Sequence, residues 1–333
     1  MTNIAFDHRQ AAHCESGTIS ALLRHAGLDI SEPMAFGLSG AMTFAYLPII
    51  KIGGMPLISY RTPPGSIVRG LTRRLGVRMK YQRFRNQQAG MQALRSHLDD
   101  AQPVGLQTSV FWLPYFPDTM RFHFNAHNLL VYGRDGDDYL ISDPVFEEPV
   151  RCDRKSLQKA RFAKGALASK GMMYYPKKLP ISYDLGSASR QAIKANRRVM
   201  TGAPLPVIGI RGIRYLGRNI LKIGRNDEKK QHYLPHYLSH IVRMQEEIGT
   251  GGAGFRFIYA SFLKETAQAL NNELLSEAAE LMTDAGDQWR MFALLSSKMC
   301  KGRQDMDPEK LNQALNLCAD LETKTWALLN QYR

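Results

Sequence analysis

The sequence predicts a two-domain α+β protein, with a mixed helix-and-strand N-terminal part and an all-helical C-terminal part. Three observations predict this class. The chain has 333 residues, whereas one domain usually takes roughly 100 to 200 residues. Helical and strand-like patterns alternate through the first half, and strand-like patterns are almost absent beyond Ala192. We expect one domain at residues 1–178 and the other at residues 190–333.

The first element is a helix with a cysteine at its entrance. Apolar residues recur at helical spacing from residue 19 to residue 26, and Gly27 suits a C-terminal cap. Cys14 therefore lies where the helix begins. A second helix is expected over residues 31–46, because Glu32 and Pro33 are typical of a first helical turn.

The later elements follow from apolar periodicity and from the turn residues between the periodic stretches. Further strands are expected over residues 55–60, 77–84, 104–111, 126–132, 139–142 and 171–175. Further helices of the first domain are expected over residues 66–75, 87–98 and 156–162. The turn Arg134-Asp135-Gly136-Asp137-Asp138 joins two of the strands into a hairpin, and residues 176–189 are interpreted as a linker. The helical domain is expected to contain helices over residues 211–222, 234–248, 255–271, 273–284, 289–300 and 308–329.

The composition indicates a folded protein, because 44% of the residues are hydrophobic and 22% are charged. The first residues lack the basic and apolar segments of an export signal, and no run approaches the roughly 18 apolar residues of a membrane span. The 4 cysteines form no CxxC pair and are too few for a disulfide scaffold. A reducing cytoplasm is therefore the expected compartment.

The net charge of +14 is concentrated in one zone of the chain. Residues 151–230 hold 20 Lys or Arg against 4 Asp or Glu. Within this zone, five cations follow helical spacing along one face, which we call the cationic stripe. The stripe consists of Arg211, Arg214, Arg218, Lys222 and Arg225. Such a zone attracts an acidic protein, an anionic lipid surface or a nucleic acid, and a solvated helix face is the alternative.

Three residues meet the needs of thiol catalysis, which are a thiolate, a base and a group that orients the base. A helix N-terminus favours a thiolate, and Cys14 occupies such a position. His127 opens an apolar strand, and Asp143 ends the next strand of the hairpin. Both residues come to the open end of the hairpin, so we expect their side chains to touch. The sequence therefore predicts Cys14 as nucleophile, His127 as base and Asp143 as orienting carboxylate.

The order of these residues resembles the papain-like fold of the bacteriocin leader-processing peptidases. A closer resemblance is to the butirosin biosynthesis protein H family. Its N-terminal signature is similar to His13-Cys14-Glu15-Ser16-Gly17 and to residues 28–40. Its accompanying helical domain is similar to the stretch Gly251-Gly252-Ala253-Gly254-Phe255-Arg256-Phe257 and the residues that follow. The resemblance covers nearly the whole chain.

The resemblance implies an acyltransferase of natural product biosynthesis, which moves an acyl or aminoacyl group from an acyl carrier protein thioester to an amine. Cys14 would hold the acyl group, and the carrier would supply the phosphopantetheine, so neither a bound cofactor nor a metal is expected. The cationic stripe would dock the acidic carrier, with peripheral membrane contact as the rival and nucleic acid as the less expected partner. The papain-like pattern places an oxyanion-donating glutamine six residues before the cysteine. This chain has His8 there and Gln10 four residues before, and both are oxyanion candidates.

Two other functions are compatible with the sequence. A cysteine hydrolase, acting as a peptidase or amidase, would use the same three residues with water in place of the amine. A non-catalytic protein would use the basic zone to bind lipid or nucleic acid.

Three smaller features also have two interpretations each. His13 and Glu15 are expected to be capping or surface residues, and His123 and Asn125 either line the cleft or solvate the strand edge. The glycine-rich run at residues 249–254 either holds a phosphate or only connects two helices.

Overall fold

The computed structural model describes residues 2–225 and 228–333, and the chain forms two compact units. Unit 1 contains the chain up to Ala35 together with Ile67–Tyr183, and unit 2 contains Phe36–Ser66 and Asp184–Arg333. This division differs from the predicted one, because residues 36–66 belong to unit 2. No helix in the described part of the chain combines the length and the apolar character that crossing a membrane requires.

The strands and helices of the described residues are numbered in chain order. The strands are β1 (Thr2–Asn3), β2 (Met42–Ile52), β3 (Met55–Arg61), β4 (Arg78–Gln82), β5 (Val104–Thr108), β6 (His127–Asp135), β7 (Asp138–Ser142), β8 (Val150–Asp153) and β9 (Met173–Lys178). The helices are α1 (Cys14–His25), α2 (Glu32–Ser39), α3 (Ser66–Leu75), α4 (Gln87–Asp99), α5 (Arg154–Arg161), α6 (Leu185–Gly202), α7 (Gly209–Gly224), α8 (Glu228–Val242), α9 (Arg256–Leu270), α10 (Glu273–Cys300) and α11 (Pro308–Leu329).

Unit 1 is built on an antiparallel sheet in the order β4-β9-β5-β6-β7-β8, with β1 paired to β6. Its apolar core includes Leu94 of α4, Leu129 of β6 and Leu157 of α5, which are fully buried. The predicted hairpin is confirmed, because β6 and β7 pair with Asp135 opposite Asp138 beside the turn. Since the turn is short, the start of β6 and the end of β7 lie side by side at the end of the hairpin opposite the turn.

The helix predicted over residues 31–46 is wrong in its second half. The helix α2 ends at Ser39, and Gly40 has a φ of 69°, a left-handed conformation that ends helices and suits glycine. The strand β2 then begins at Met42. Its residues Thr43, Phe44 and Tyr46 are β-branched or aromatic, which favours a strand over a helix.

Unit 2 consists of the helices α6 to α11 together with the two-stranded sheet of β2 and β3. Phe44 of β2 and Tyr60 of β3 contact Trp289 of α10, with ring centroids 5.7 Å and 5.6 Å apart. Large aromatic side chains gain the most from burial. This burial explains why residues 36–66 pack with helices that follow them by more than a hundred positions in the sequence.

The C-terminal part of the chain is helical as predicted, with two differences in its elements. Helices predicted over residues 273–284 and 289–300 form one continuous helix, α10, in which Gly286 packs against the ring of Phe257. Helix α6 lies partly in the stretch interpreted as a linker. Its N-terminus is capped by Asp184, whose carboxylate accepts the backbone N–H of Ser187 at 3.0 Å.

A buried ion pair occupies the interior of unit 2. The side chains of Arg256 and Glu322 are both 0% exposed, and their nearest N and O atoms are 2.8 Å apart. Glu322 also accepts a hydrogen bond from the indole N–H of Trp289 at 2.8 Å, and Arg256 donates to the carbonyl of Gly254 at 2.8 Å. These bonds give both buried charges partners inside the unit.

Backbone N–H groups of the glycine-rich run donate hydrogen bonds to side chains of the same chain. The carboxylate of Glu246 accepts the backbone N–H of Ala253 at 3.2 Å, and the hydroxyl of Thr250 accepts the N–H of Gly252 at 3.2 Å. The run is also largely buried. The phosphate interpretation is therefore not supported, because a carboxylate and a hydroxyl of the protein already accept two of the N–H groups that a phosphate would need.

Candidate active site

Cys14 is the first residue of α1, as the sequence predicts. His13 is the N-cap, and its ring accepts the backbone N–H of Ser16 at 3.3 Å. The first N–H groups of a helix have no acceptor within the helix, so they point toward whatever lies in front of Cys14. The residue is 9% exposed, against 2% for Cys152 and 0% for Cys318. Cys14 is therefore a buried residue at a helix N-terminus that has more solvent access than Cys152 or Cys318.

His127 and Asp143 touch, as the hairpin predicts. The Nε2 atom of His127 lies 2.7 Å from Oδ2 of Asp143, and the two side chains are 5% and 0% exposed. The His127 ring also forms a hydrogen bond with the thiol of Cys14. Since Nε2 is engaged by Asp143, Nδ1 is the ring atom available to the sulfur. The three predicted residues thus form one continuous chain of hydrogen bonds.

The carboxylate of Asp143 is held by two further donors. The hydroxyl of Tyr115 donates to Oδ2 at 2.9 Å, and the backbone N–H of Val145 donates to Oδ1 at 3.1 Å. The ring of Phe116 stands edge-on to His127, with centroids 5.4 Å apart. Sequence reasoning missed Tyr115, whose only signal is its place in the aromatic run that precedes the strand of His127.

Two opposing effects act on the pKa of His127. Burial lowers the pKa, because a charged ring is poorly solvated in the interior. The Asp143 carboxylate and its hydrogen bond outweigh burial and, with Cys14, raise the pKa to about 10. Burial also raises the pKa of Tyr115 well above its usual value, and Asp143 raises it further. At neutral pH, His127 therefore carries a proton that Asp143 stabilises, and Tyr115 remains a neutral donor.

The segment that leads to Cys14 lies along the loop that carries Asp143. The backbone N–H of Ala11 donates to the carbonyl of Pro144 at 2.8 Å. The ring of His8 lies 2.7 Å from the hydroxyl of Ser142 and 3.0 Å from the carbonyl of Phe146. These bonds link the nucleophile and the orienting carboxylate through the backbone as well as through His127.

This arrangement argues against both predicted oxyanion donors. Nε2 of His8 must donate to the carbonyl of Phe146, so Nδ1 accepts from Ser142 and neither ring nitrogen is left for an oxyanion. The exposed amide of Gln10 donates to the carbonyl of Val145 at 3.3 Å. The side chains of His8 and Gln10 hold the segment before Cys14 against the loop that carries Asp143. This contact depends on the fold, and no sequence motif indicates it.

Glu32 supports the nucleophile from the other side. Its carboxylate accepts the backbone N–H groups of Ala12 and His13, each at 2.8 Å, and the hydroxyl of Ser16 at 3.0 Å. Burial raises the pKa of Glu32, and these hydrogen bonds lower it in part. The two residues directly before Cys14 are thus fixed to a carboxylate on α2.

The structure also shows the roles of Glu15 and Asn125, two residues near the candidate site. Glu15 is fully buried, and its carboxylate accepts the backbone N–H groups of Ile67 and Val68 in the first turn of α3, which is the capping role. The amide of Asn125 donates to the carbonyls of Lys164 and Ala166. Asn125 thus anchors the loop after α5.

The remaining cysteines do not share the environment of Cys14. All four cysteines are free thiols. Burial raises the pKa of Cys152 to about 12 and that of Cys318 well above its usual value. Cys300 is half-buried, and its sulfur lies 3.4 Å from the carbonyl of Pro235. Among the described residues, no three His, Cys, Asp or Glu side chains converge on a position suited to a metal ion.

The cationic stripe lies on α7, opposite the buried Ile213 and Ile220, as its periodicity predicts. Part of the stripe is neutralised by acidic residues of α11. Arg214 pairs with Asp320 at 2.6 Å, and Arg225 pairs with Glu309 at 3.0 Å.

Other members of the stripe also have partners in the chain. Arg211 donates to the carbonyl of Ala203, and the guanidinium of Arg218 lies 5.8 Å from the ring centroid of Tyr215. Two residues of the basic zone, Asn226 and Asp227, lie outside the described residues.

Residues 13–144 match the family model described as butirosin biosynthesis protein H, N-terminal, and residues 155–329 match the model of a domain of unknown function, DUF4872. No curated protein matches the chain. A crystal structure from Bacillus anthracis, described as a C39-like peptidase, is 15% identical, with a TM-score of 0.35, over 54% of this chain and 98% of that chain. On the two family matches, which together span most of the sequence, the chain belongs to the butirosin biosynthesis protein H family that its N-terminal signature predicts.

Proposed function

We propose that this protein is a papain-like cysteine acyltransferase, which takes an acyl or aminoacyl group from a carrier protein thioester onto Cys14 and passes it to an amine. The observation that carries the proposal is the hydrogen-bonded chain from Cys14 through His127 to Asp143. Family membership supports biosynthesis as the setting of this chemistry. The three residues determine the reaction but not its specificity. Other parts of the protein select the acyl group and the amine acceptor.

In the first half-reaction, the Cys14 sulfur attacks the carbonyl carbon of the thioester. An imidazolium at His127 stabilises an adjacent thiolate, and the pKa of about 10 keeps that proton on the ring at neutral pH. The tetrahedral oxyanion faces the N-terminus of α1, where the backbone N–H of Cys14 is a donor. When the intermediate collapses, the carbon–sulfur bond to pantetheine breaks and the departing sulfur takes the proton of His127.

In the second half-reaction, the now neutral His127 accepts a proton from the amine as the nitrogen attacks the Cys14 thioester. The new amide bond forms, the bond to Cys14 breaks, and the thiolate–imidazolium pair is restored. Asp143 keeps Nε2 protonated throughout, so Nδ1 remains the atom that exchanges protons. The reaction consumes one thioester and one amine and releases the carrier thiol and an amide.

The test is intact-mass analysis of the protein after mixing with an acyl-N-acetylcysteamine thioester or with acyl-loaded carrier proteins. We expect an adduct of one acyl group that Cys14→Ala abolishes. Cys300→Ala is the matched control, because Cys300 is the most accessible of the four cysteines, and this variant should keep the adduct.

The fate of the adduct separates the alternatives. Added amines should remove the acyl group faster than water does, whereas a hydrolase would release free acid at the same rate with and without amine. An adduct that persists in Cys14→Ala would contradict the proposal, because another residue would then hold the acyl group. Absence of an adduct with every thioester would also contradict it and would favour hydrolysis of another substrate class.

A further inference from the structure

The hairpin of β2 and β3 in unit 2 ends in an exposed apolar turn. Its residues are Pro48-Ile49-Ile50-Lys51-Ile52-Gly53-Gly54, and we call this segment the isoleucine tip. The three isoleucines face solvent, since Ile49 is 94% exposed, Ile50 50% and Ile52 64%. A single exposed apolar side chain is ordinary, but three at the end of one hairpin form an apolar patch. Such patches mark contacts with another protein or with a membrane.

The backbone of the tip explains why the isoleucines face outward. Gly53 and Gly54 have φ angles of 59° and 82°, and two left-handed residues in succession are typical of the tight type I′ turn of a hairpin. The pairing of β2 with β3 shifts between Leu47 and Lys51, and the residues between these two have no partner on β3. This bulge interrupts the alternation of the strand, so the first two isoleucines, which are consecutive, both reach solvent.

The tip lies in a part of the sequence that has positive charge and no negative charge. Lys51 is the only charged residue of the tip, and it is exposed. Residues 36–66, the whole N-terminal segment of unit 2, contain two Lys or Arg and no Asp or Glu. The isoleucine tip therefore presents its apolar side chains without an acidic neighbour in its own segment.

Helix α8 packs against the base of the hairpin. The hydroxyl of Tyr233 donates to the sulfur of Met55 at 3.4 Å, and Nε2 of His240 donates to the carbonyl of Pro56 at 3.0 Å. In the sequence, residues 229–243 contain three Lys or Arg, three His and no Asp or Glu. Both segments that form this end of unit 2 thus favour an anionic partner.

The side chains of the tip argue against nucleic acid as that partner. Proteins that bind single strands stack bases on aromatic rings, and duplex readers use polar side chains on base edges. The tip offers three aliphatic side chains and one lysine. Isoleucine has neither a ring for stacking nor a polar group for base recognition.

The tip is also poorly suited to a protein partner, including a second copy of this chain. A stable interface takes about 20–30 residues from each partner, whereas the tip has 7 residues. Strand addition is hindered as well, because Pro48 has no N–H, the bulge interrupts the ladder and Lys51 is charged. These three features are the ones that protect strand edges from pairing with another chain.

We propose that the isoleucine tip inserts into the interfacial layer of an anionic lipid membrane and attaches the protein to it peripherally. Lipids surround a projecting turn from every side, so they cover three isoleucines without a complementary pocket. Apolar burial and the attraction of cations to anionic headgroups add together at such interfaces. The proposal goes beyond the proposed function and does not depend on the chemistry of Cys14.

The experiment is flotation of the full chain with vesicles of phosphatidylglycerol and phosphatidylcholine in equal parts. Ile49→Ser with Ile52→Ser changes the tip. Leu205→Ser with Leu317→Ser is the matched control, because these leucines are 53% and 52% exposed elsewhere in unit 2. The unaltered protein and the control should bind, and the tip variant should bind about a hundredfold more weakly, since each isoleucine removed from lipid lowers the affinity about tenfold.

Two single changes test the charge and the depth of insertion. Lys51→Gln should weaken binding to the anionic vesicles about fivefold. A tryptophan introduced by Ile49→Trp should be quenched by lipids that are brominated on their acyl chains, beyond the quenching of the unaltered protein. If the added indole is not quenched, the tip does not enter the membrane and the proposal is wrong.

Three other results would overturn the proposal. They are no binding of the unaltered protein to anionic vesicles at low ionic strength, equal binding by the tip and control variants, and a dimer in sedimentation velocity that only the tip variant converts to a monomer. The last result would show that a second copy covers the tip. If circular dichroism shows that the double variant is unfolded, Ile49→Ser alone replaces it and should weaken binding about tenfold.

Acylation by an acyl-N-acetylcysteamine thioester keeps this test separate from that of the proposed function. Both double variants should be acylated on Cys14 at the unaltered rate, because the isoleucine tip contains none of the residues proposed for the reaction. Loss of vesicle binding with normal acylation supports the membrane contact. Normal vesicle binding without acylation of the unaltered protein would leave the membrane contact standing and contradict the acyltransferase.

Discussion

Each unit of this protein buries one carboxylate beside a cation, and the two pairs have different consequences. In unit 1, Asp143 contacts His127, whose other nitrogen meets the thiol of Cys14. In unit 2, Glu322 contacts Arg256 and the indole of Trp289, and both charged side chains are fully buried. Arginine keeps its proton at every working pH, whereas histidine exchanges one. On the proposed function, the carboxylate of unit 1 serves catalysis, because its cation is titratable and adjoins a nucleophile, whereas the carboxylate of unit 2 serves the fold.

The largest expected effect is that of Asp143→Ala on the rate of Cys14 acylation. The rate should fall about 100- to 10,000-fold, the range that a positioned acid–base group contributes. Because Asp143 raises the pKa of His127 to about 10, the alkaline limb of the pH–rate profile should move to lower pH. Single-turnover acylation at a series of pH values measures both. Asp143→Asn should recover part of the rate, since its amide oxygen still accepts from Nε2, and an unaltered profile in Asp143→Ala would show that the carboxylate has no role.

Glu322→Ala should act on stability instead. Removing one partner leaves the Arg256 charge buried and unpaired, which costs about 3–5 kcal/mol of the free energy of unfolding. Urea titration followed by the fluorescence of the buried Trp289 and Trp326 reports this unit. The control is Asp320→Ala on the same helix, whose exposed pair with Arg214 contributes at most about 1 kcal/mol. If both variants lose a similar amount of the free energy of unfolding, the buried pair stabilises the protein no more than the surface pair does.

Tyr115→Phe is expected to have the smallest effect of the three changes. It tests whether the Tyr115 hydroxyl moderates the effect of Asp143 on His127. Loss of a hydrogen bond to a charged group costs about 1.5–3 kcal/mol, so acylation should slow roughly 10- to 100-fold. Without this donor, more of the Asp143 charge acts on His127, so the alkaline limb should move to higher pH, opposite to Asp143→Ala. Tyr175→Phe is the control, because its ring packs on His97 away from Asp143. An unaltered rate and an unaltered pH profile would mean that the ring of Tyr115 only fills space and that its hydroxyl has no role.

The three central residues could be predicted because each depends on a local pattern. Cys14 precedes a helical periodicity, and His127 and Asp143 flank a hairpin whose turn residues define its register. The sequence predicts that His127 and Asp143 come to the same end of the hairpin. Their contact also depends on the irregularity between Val131 and Gly133, where the pairing of β6 with β7 shifts by one residue and brings both side chains to one face of the sheet. This shift was not predicted.

The supporting residues could not be predicted, because their roles depend on segments far apart in the chain. Tyr115 reaches Asp143 across 28 positions, and His8 reaches Ser142 across 134. Glu32 was recognisable as part of a first helical turn, yet its bonds to Ala12 and His13 arise from packing. The membership of residues 36–66 in unit 2 has the same origin, since Phe44 and Tyr60 are buried by a helix from the end of the chain.

The interleaving of the two units has a consequence for synthesis on the ribosome. The strands β2 and β3 emerge early, but Trp289, which buries Phe44 and Tyr60, follows more than 200 residues later. At about 5–20 residues per second, the hairpin waits on the order of ten seconds or more before its partners exist. During that interval it exposes aromatic side chains and unpaired strand edges. Until the C-terminal helices arrive, the nascent hairpin therefore exposes the kind of apolar surface that makes incomplete chains prone to aggregation.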